Sequence, residues 1–235
     1  LVLKLFVFYF RQMKTFSIIF ENEEILLVNK DGGVSVQGGA GIAHPLDAEL
    51  SIQLGYKIFL VHRLDKETSG ILVVAKNAQA AAKWTNLISG GKVKKEYVAV
   101  CFGIPLVDGK KCYSGVLEGT VEAHGRTQAA KTFFKVESVW NVKIPESEKE
   151  LELSFLKLTL GTGRMHQIRI QLAKASCPIA GDDKHGDFKK NKLARKIGIK
   201  KLQLASVKLS LPVDGKTQAF EIPLPEHIKT TLNSQ

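Results

Sequence analysis

The feature that most constrains the fold is the recurrence of strand-like apolar runs without helices regularly spaced between them. Residues 25–29, 59–63, 71–76, 97–102, 127–140, 151–160, 202–209 and 218–222 all read as strands, bounded by Gly, Pro, Asn and Asp clusters. A doubly wound parallel sheet needs strand and helix in alternation, so it is disfavoured. A mixed, mostly antiparallel central sheet with peripheral helices, an α+β class, fits the pattern. The run 127–140 joins 151–160 through a polar loop, NVKIPESEKE. Leu151, Leu153 and Phe155 keep one phase, and Leu156, Leu158 and Leu160 keep the other. That change predicts a β-bulge or bend, or a strand buried on both faces.

Two helices are expected. Asn77 can cap one over 78–89, stopped by Gly90 and Gly91. Thr162 can cap another over 164–174, with Met165, Ile168 and Leu172 on one face. The segment PIAGDDKHGD reads as loop. At about 150 residues per domain, 235 residues give one large domain or two small ones. There is no internal repeat and no Pro- or Ser-rich linker, so residues 13–235 are expected to form a single domain. The run LVLKLFVFYF is too short for a bilayer, which takes about 20 residues. Met13 begins what reads like an ordinary protein start, so residues 1–12 are expected to lie outside the working domain. Three cysteines with no CxxC pair argue against a disulfide scaffold or a zinc ribbon and fit a reducing cytoplasm.

Charge narrows the partners. Thirty-four Lys and Arg stand against 23 Asp and Glu, a net of +11, which favours polyanions and nucleic acid above all. Between residues 184 and 201 there are eight basic residues and one acid, Asp187. Lys189, Lys190, Lys192, Arg195 and Lys196 from this block, with Lys94 and Lys95 from a second, are candidate phosphate contacts. The competing reading is a solvated loop kept soluble by lysine.

The segment VHRLDKETSGILVVAK, residues 61–76, carries the candidate chemistry. His62, Arg63 and Asp65 cluster at the end of an apolar run. Residues 63 and 65 of an extended chain point to the same side, and an arginine beside a carboxylate favours and orients the anion. Such a carboxylate can serve as nucleophile or base. Asp65 could equally be an Asx-turn residue partnered by Arg63.

The stretch HRLDKETSGILVVAK resembles the signature of the RluA-type RNA pseudouridine synthases. LVNKDGGVSV, KKEYVAVCFG, LGTGRMHQIRIQL, PIAGDDKHG and LQLASVKLSLP resemble the family's other motifs, in the family's order. The resemblance runs from about residue 18 to the end. It implies the pseudouridine synthase catalytic fold and the isomerisation of uridines in structured ribosomal or transfer RNA. It implies Asp65 as catalytic carboxylate, Tyr97 as the aromatic residue stacking on uracil, and Arg169 as the partner of the aspartate, with Arg164 as competitor. Arg63 would help displace the target base, and Ile179 would pack against it. His62, His166 and Arg164 are further candidate substrate-binding residues; for His166 a purely structural role is an equal reading. No cofactor and no metal are implied, the partner is RNA rather than a membrane, and a cytoplasmic monomer is expected. Four positions depart from the family's pattern: Asp31 for Pro, Gln171 for His, His185 for Tyr and Ala205 for His.

Two alternatives belong to other classes. One is a non-catalytic RNA chaperone or ribosome-assembly factor on the same fold. The other is an aspartate-dependent hydrolase of small nucleosides, which the +11 charge and the lack of a second carboxylate motif disfavour. His44, His124 and His227 are expected in surface loops, and Trp84 and Trp140 in packing roles.

Overall fold

The computed structural model describes residues 15–123 and 125–233. Residues 1–12 and His124, on which expectations were placed, lie outside the described residues. The strands are β1 (Ser17–Glu21), β2 (Ile25–Lys30), β3 (Phe59–Leu60), β4 (Ser69–Ala75), β5 (Lys94–Phe102), β6 (Leu106–Val107), β7 (Lys110–Lys111), β8 (Ser114–Ala123), β9 (Arg126–Lys143), β10 (Glu150–Leu160), β11 (Leu204–Val213) and β12 (Lys216–Glu221). The helices are α1 (Leu46–Leu54), α2 (Ala78–Ser89), α3 (Gln167–Lys174), α4 (Phe188–Lys196) and α5 (Glu226–Leu232). Among the described residues, no helix is long and apolar enough to cross a membrane.

Ten strands form one sheet, ordered β1-β2-β4-β11-β5-β10-β9-β8, with β12 on β11 and β3 on β4. The β11–β4 pair is parallel and the other pairings are antiparallel. The sheet is thus mixed and mostly antiparallel, as the spacing predicts. β4 is buried along its whole length because both faces are covered. Leu72 and Val74 join one apolar layer with Leu46, Leu50, Tyr97, Ile168 and Leu172. Ile71 and Val73 join the opposite layer with Trp84, Phe102, Ala194 and Ile228.

The phase change in β10 reflects a switch of faces. Leu151 and Leu153 enter the second layer, and Leu156 and Leu158 enter the first. β10 pairs with β5 without interruption, but its pairing with β9 shifts between Phe155, opposite Ser138, and Leu156, opposite Val136. Glu137 is the extra residue. One inserted residue reverses the side on which every following side chain points. Phe134 and Val136 therefore face the first layer, whereas Trp140 and Val142 face the second.

Several local expectations need correction. The strand expected over 59–63 ends at Leu60, so HRLD lies in a loop. The helix expected from Arg164 begins at Gln167. Thr162 does not cap it: its hydroxyl donates to Gln167 Oε1 (2.7 Å) and accepts the Lys131 N–H (2.9 Å). Met165 is consequently exposed while Ile168 and Leu172 are buried. Residues 188–196 are helical rather than loop, with Asp187 accepting the Lys190 N–H (3.0 Å) as N-cap. His227 is not in a surface loop: it sits half-buried on α5, a ring nitrogen 3.2 Å from the Leu202 carbonyl.

Candidate active site

The site forms where the β3–β4 loop, α3 and the 178–187 loop meet. The β3–β4 loop is held from below by Lys30, a buried residue at the end of β2. Its ammonium donates to the carbonyls of Asp31 (2.9 Å), Val34 (2.9 Å) and Lys66 (3.0 Å). A buried cation persists only where such oxygens replace water. At Asp31, a departure from the family's pattern, it is the main-chain carbonyl that Lys30 engages. Behind the loop, Gly70 (φ 113°) faces β11 so closely that a Cβ would collide with the Ser206 carbonyl.

Asp65 follows this anchored stretch. The Thr68 N–H donates to the Asp65 backbone carbonyl (3.1 Å), which closes the turn with main chain. The carboxylate is therefore free for other work, and the Asx-turn reading fails. Its partner is Arg169: Nη1 donates to Asp65 Oδ2 at 3.2 Å. The same guanidinium donates through Nε and Nη2 to Asp182 at 2.8 and 2.7 Å, a two-pronged clamp. Asp182 also accepts the N–H groups of Lys184 (2.9 Å) and His185 (3.0 Å). Burial alone would raise the Asp182 carboxyl, but the Arg169 clamp and these N–H groups hold it below the usual carboxylate range. Burial likewise opposes the charge on Arg169, and the two carboxylates overcome it, raising its pKa.

One buried cation thus serves two anions. The Arg169 and Asp182 side chains are 7% and 1% exposed, whereas Asp65 is 24% exposed. Asp65 Oδ2 is pinned, and Oδ1 has His166 Nε2 at 3.7 Å. Nothing in the sequence spacing pointed to Asp182, whose contribution appears only when the loop folds onto α3.

Tyr97 lies opposite Ser206 in the β5–β11 register and is 6% exposed. Burial, outweighing the neighbouring Ser206 side chain, and then the Asp65 charge push its hydroxyl well above the ordinary tyrosine value. At neutral pH it is a phenol, able to donate a hydrogen bond but not to act as a base. His62 Nε2 accepts the Val73 N–H (3.0 Å). Burial and then the Lys95 ammonium push His62 down to about 3, so it too is neutral. The Lys95 ammonium lies against Gly163, on the loop that leads into α3. Of the two expected phosphate contacts on β5, Lys95 therefore belongs to the site, while Lys94 is paired outside with Glu96 (2.8 Å).

Other expected site residues are placed differently. No ion pair between Arg63 and Asp65 occurs among the described residues, and Arg63 is exposed. Arg164 is exposed and donates from Nε to the Ala129 carbonyl (3.3 Å), so Arg169 takes the role for which both were candidates. Ile179 is 1% exposed and bridged to Cys101, in the same apolar layer as Tyr97. The basic helix α4 is not beside Asp65. Ala194 packs it into the opposite layer, and Lys190 turns over the Phe102 ring at 5.9 Å. Gln171, a departure from the family pattern, ties α3 to β8 and β9: it donates to the Leu117 and Ala130 carbonyls and accepts from Thr132. Among the described residues, no group of three His, Cys, Asp or Glu side chains is arranged to hold a metal.

Comparison with known proteins gives the family of the chain. Residues 24–174 match the RNA pseudouridylate synthase family, and the chain belongs to that family, a class of isomerases. It is 30% identical over 232 residues to ribosomal large subunit pseudouridine synthase C of Rickettsia bellii (strain RML369-C), covering 92% of this chain and 71% of that one. It is 31% identical over 236 residues to ribosomal large subunit pseudouridine synthase D of Neisseria meningitidis serogroup A, covering 92% of this chain and 60% of that one. The chain thus spans 60–71% of the length of these two relatives. In fold it is similar to the human protein RNA Pseudouridylate Synthase Domain Containing 4, with TM-score 0.71, 23% identity and coverage of 100% of this chain and 97% of that chain.

Proposed function

We propose that this chain, as one domain over residues 13–235 acting as a cytoplasmic monomer, isomerises uridine to pseudouridine in ribosomal RNA with Asp65 as the catalytic carboxylate. The supporting observation is the state of Asp65: Oδ2 is held by the buried Arg169 while the side chain as a whole stays 24% exposed. The reaction breaks the C1′–N1 bond, turns the uracil and forms a C1′–C5 bond. C5 loses a proton and N1 gains one, so no redox partner or imported group is consumed. Attack at C1′, attack at C6 and removal of the C2′ proton would all use this carboxylate. A stacked uridine must first leave its helix, at a cost of a few kcal/mol. The exposed Arg63 side chain would occupy the vacated place, and Lys95 and Arg164 would bear on the backbone of the everted nucleotide. Tyr97, held as a phenol, would stack on the base and donate.

Tritium release from RNA carrying 5-tritiated uridine tests this reading. The wild-type chain should release tritium and Asp65→Asn should fall to background, with at least a 10³-fold loss on the scale of a missing nucleophile. Equal release by both would remove Asp65 from the role. Free uracil as product would mean hydrolysis instead.

A further inference from the structure

Two histidines meet beside Asp65 and are used by none of the steps above. His166 Nδ1 and His185 Nε2 are 2.8 Å apart, with the rings edge-on at 70°. The other nitrogen of His166, Nε2, faces Asp65 Oδ1 at 3.7 Å. His166 is set there by its backbone, which takes the left-handed conformation (φ 52°, ψ 20°) just before α3. A non-glycine residue holds that conformation only where its surroundings over-determine it, and such positions cluster at functional sites. His185 is set by its own N–H, which donates to Asp182, the carboxylate that clamps Arg169. One network therefore addresses both oxygens of Asp65: Oδ2 through Arg169 and Oδ1 through His166.

The protonation pattern follows from the charges. A bare ring nitrogen aimed at a carboxylate would be repelled, so His166 carries its hydrogen on Nε2. A neutral imidazole has one N–H, so Nδ1 is an acceptor and the His185 Nε2–H must donate to it. We propose that His185 is a positioning residue that, by donating to His166 Nδ1, keeps the His166 Nε2–H aimed at the reactive oxygen of Asp65. This rests on Asp65 being the catalytic carboxylate. The hydroxyl of a tyrosine at this position could make the same donation. Histidine adds a titration that tyrosine lacks.

The groups facing the pair are Asp65 from the β3–β4 loop, Arg169 from α3, and Asp182 and Lys184 from the 178–187 loop. Burial lowers both imidazoles, and Arg169 and Lys184 add to it; Asp65 opposes this at His166, and Asp182 and Asp65 oppose it at His185. The pair is thus neutral at pH 7 and gains a proton below the ordinary histidine range. Two cations 2.8 Å apart would repel, so it gains one, and the acid limb of the rate belongs to the pair as a unit. That cation would bind Asp65 Oδ1 and withdraw it from reaction.

The test uses tritium release by the full chain between pH 5 and 8 for wild type, His185→Phe and His185→Tyr, with imidazole nitrogen NMR on each. His185→Phe should lose on the order of 10-fold in kcat with KM for RNA unchanged, the scale of a lost supporting partner. Its His166 should shift toward the Nδ1–H form. His185→Tyr should recover the rate at pH 7.5 and move the acid limb to lower pH, because the cation is no longer shared by two rings. Wild-type kcat and pH profile in His185→Phe, or an Nδ1–H form of His166 in the wild type, would overturn the proposal. Should the wild type release no tritium, the proposed function fails, and the nitrogen signals still decide the tautomer.

Discussion

The two sides of the sheet carry positive charge in opposite ways. On the side of Asp65, Arg169 is buried and every polar hydrogen that faces a carboxylate is committed, two to Asp182 and one to Asp65. On the other side, Lys189, Lys192, Arg195 and Lys196 stand exposed along α4, and the ion pair of Arg195 with Asp183 is itself exposed. A buried ion holds its geometry because the alternative is an uncompensated charge, whereas an exposed pair contributes about 0–1 kcal/mol. The first kind of charge can define a reaction centre. The second can only bias long-range attraction and touch phosphates. Counting lysines along residues 184–201 merges the two, since Lys184 is beside the histidine pair and Lys196 is on the far layer.

Removing Arg169 should produce the largest effect and would break the comparison if it did not. Arg169→Met leaves Asp182 buried without a cation, which costs about 3–5 kcal/mol of stability. Tritium release should disappear as well. The double change Arg169→Met with Asp182→Leu removes both charges, and apolar replacement of a whole buried pair is close to neutral. Thermal unfolding should therefore return toward the wild-type midpoint while activity stays absent. Recovery of activity in the double variant would show that the clamp serves the fold alone.

The sequence made the sheet legible because both of its signals are local. The helix expected over 78–89 is found with those bounds, fixed by the Asn77 side chain, which accepts the Ala80 N–H (2.8 Å), and by the glycines after Ser89. The phase change in β10 marked a real irregularity, although the extra residue, Glu137, is on the neighbouring strand. α4 was hidden because its sequence, FKKNKLARK, has almost no apolar stripe, and its cap, Asp187, was the readable sign. α1 and α5 were missed as well. At the site, local reasoning paired Asp65 with the adjacent Arg63, but a loop lets neighbours in sequence diverge. The family resemblance pointed to Arg169, far along the chain. Asp182 and Lys30 act only through tertiary contacts, which no periodicity encodes.

A smaller effect should come from the exposed side. Replacing Lys189, Lys192 and Lys196 with Gln should weaken RNA binding and lower the salt slope of log Kd by about one per lost phosphate contact, so by at most about three. The loss should sit in KM, because α4 is held in the layer away from Asp65. An unchanged salt slope together with a fall in kcat would place these lysines in the reaction centre and erase the distinction between the two sides.

The smallest effect, invisible at neutral pH, belongs to His62. Its folded-state pKa is about 3, against 6.5 for an unperturbed histidine. Below pH 6.5 the unfolded chain therefore binds a proton that the folded chain refuses until about pH 3. The unfolded state holds more protons in that window, so stability falls as pH falls and is fully present above it. Between pH 7 and pH 5 this histidine should account for about 1–2 kcal/mol in denaturant titrations. The imidazoles of His166, His185 and His227 are lowered as well and add in the same sense. His62→Gln has nothing to titrate there and offers an amide oxygen to the Val73 N–H, so its stability should change less with pH than that of the wild type. Parallel pH dependences in the two proteins would mean that His62 does not remain neutral in the folded chain.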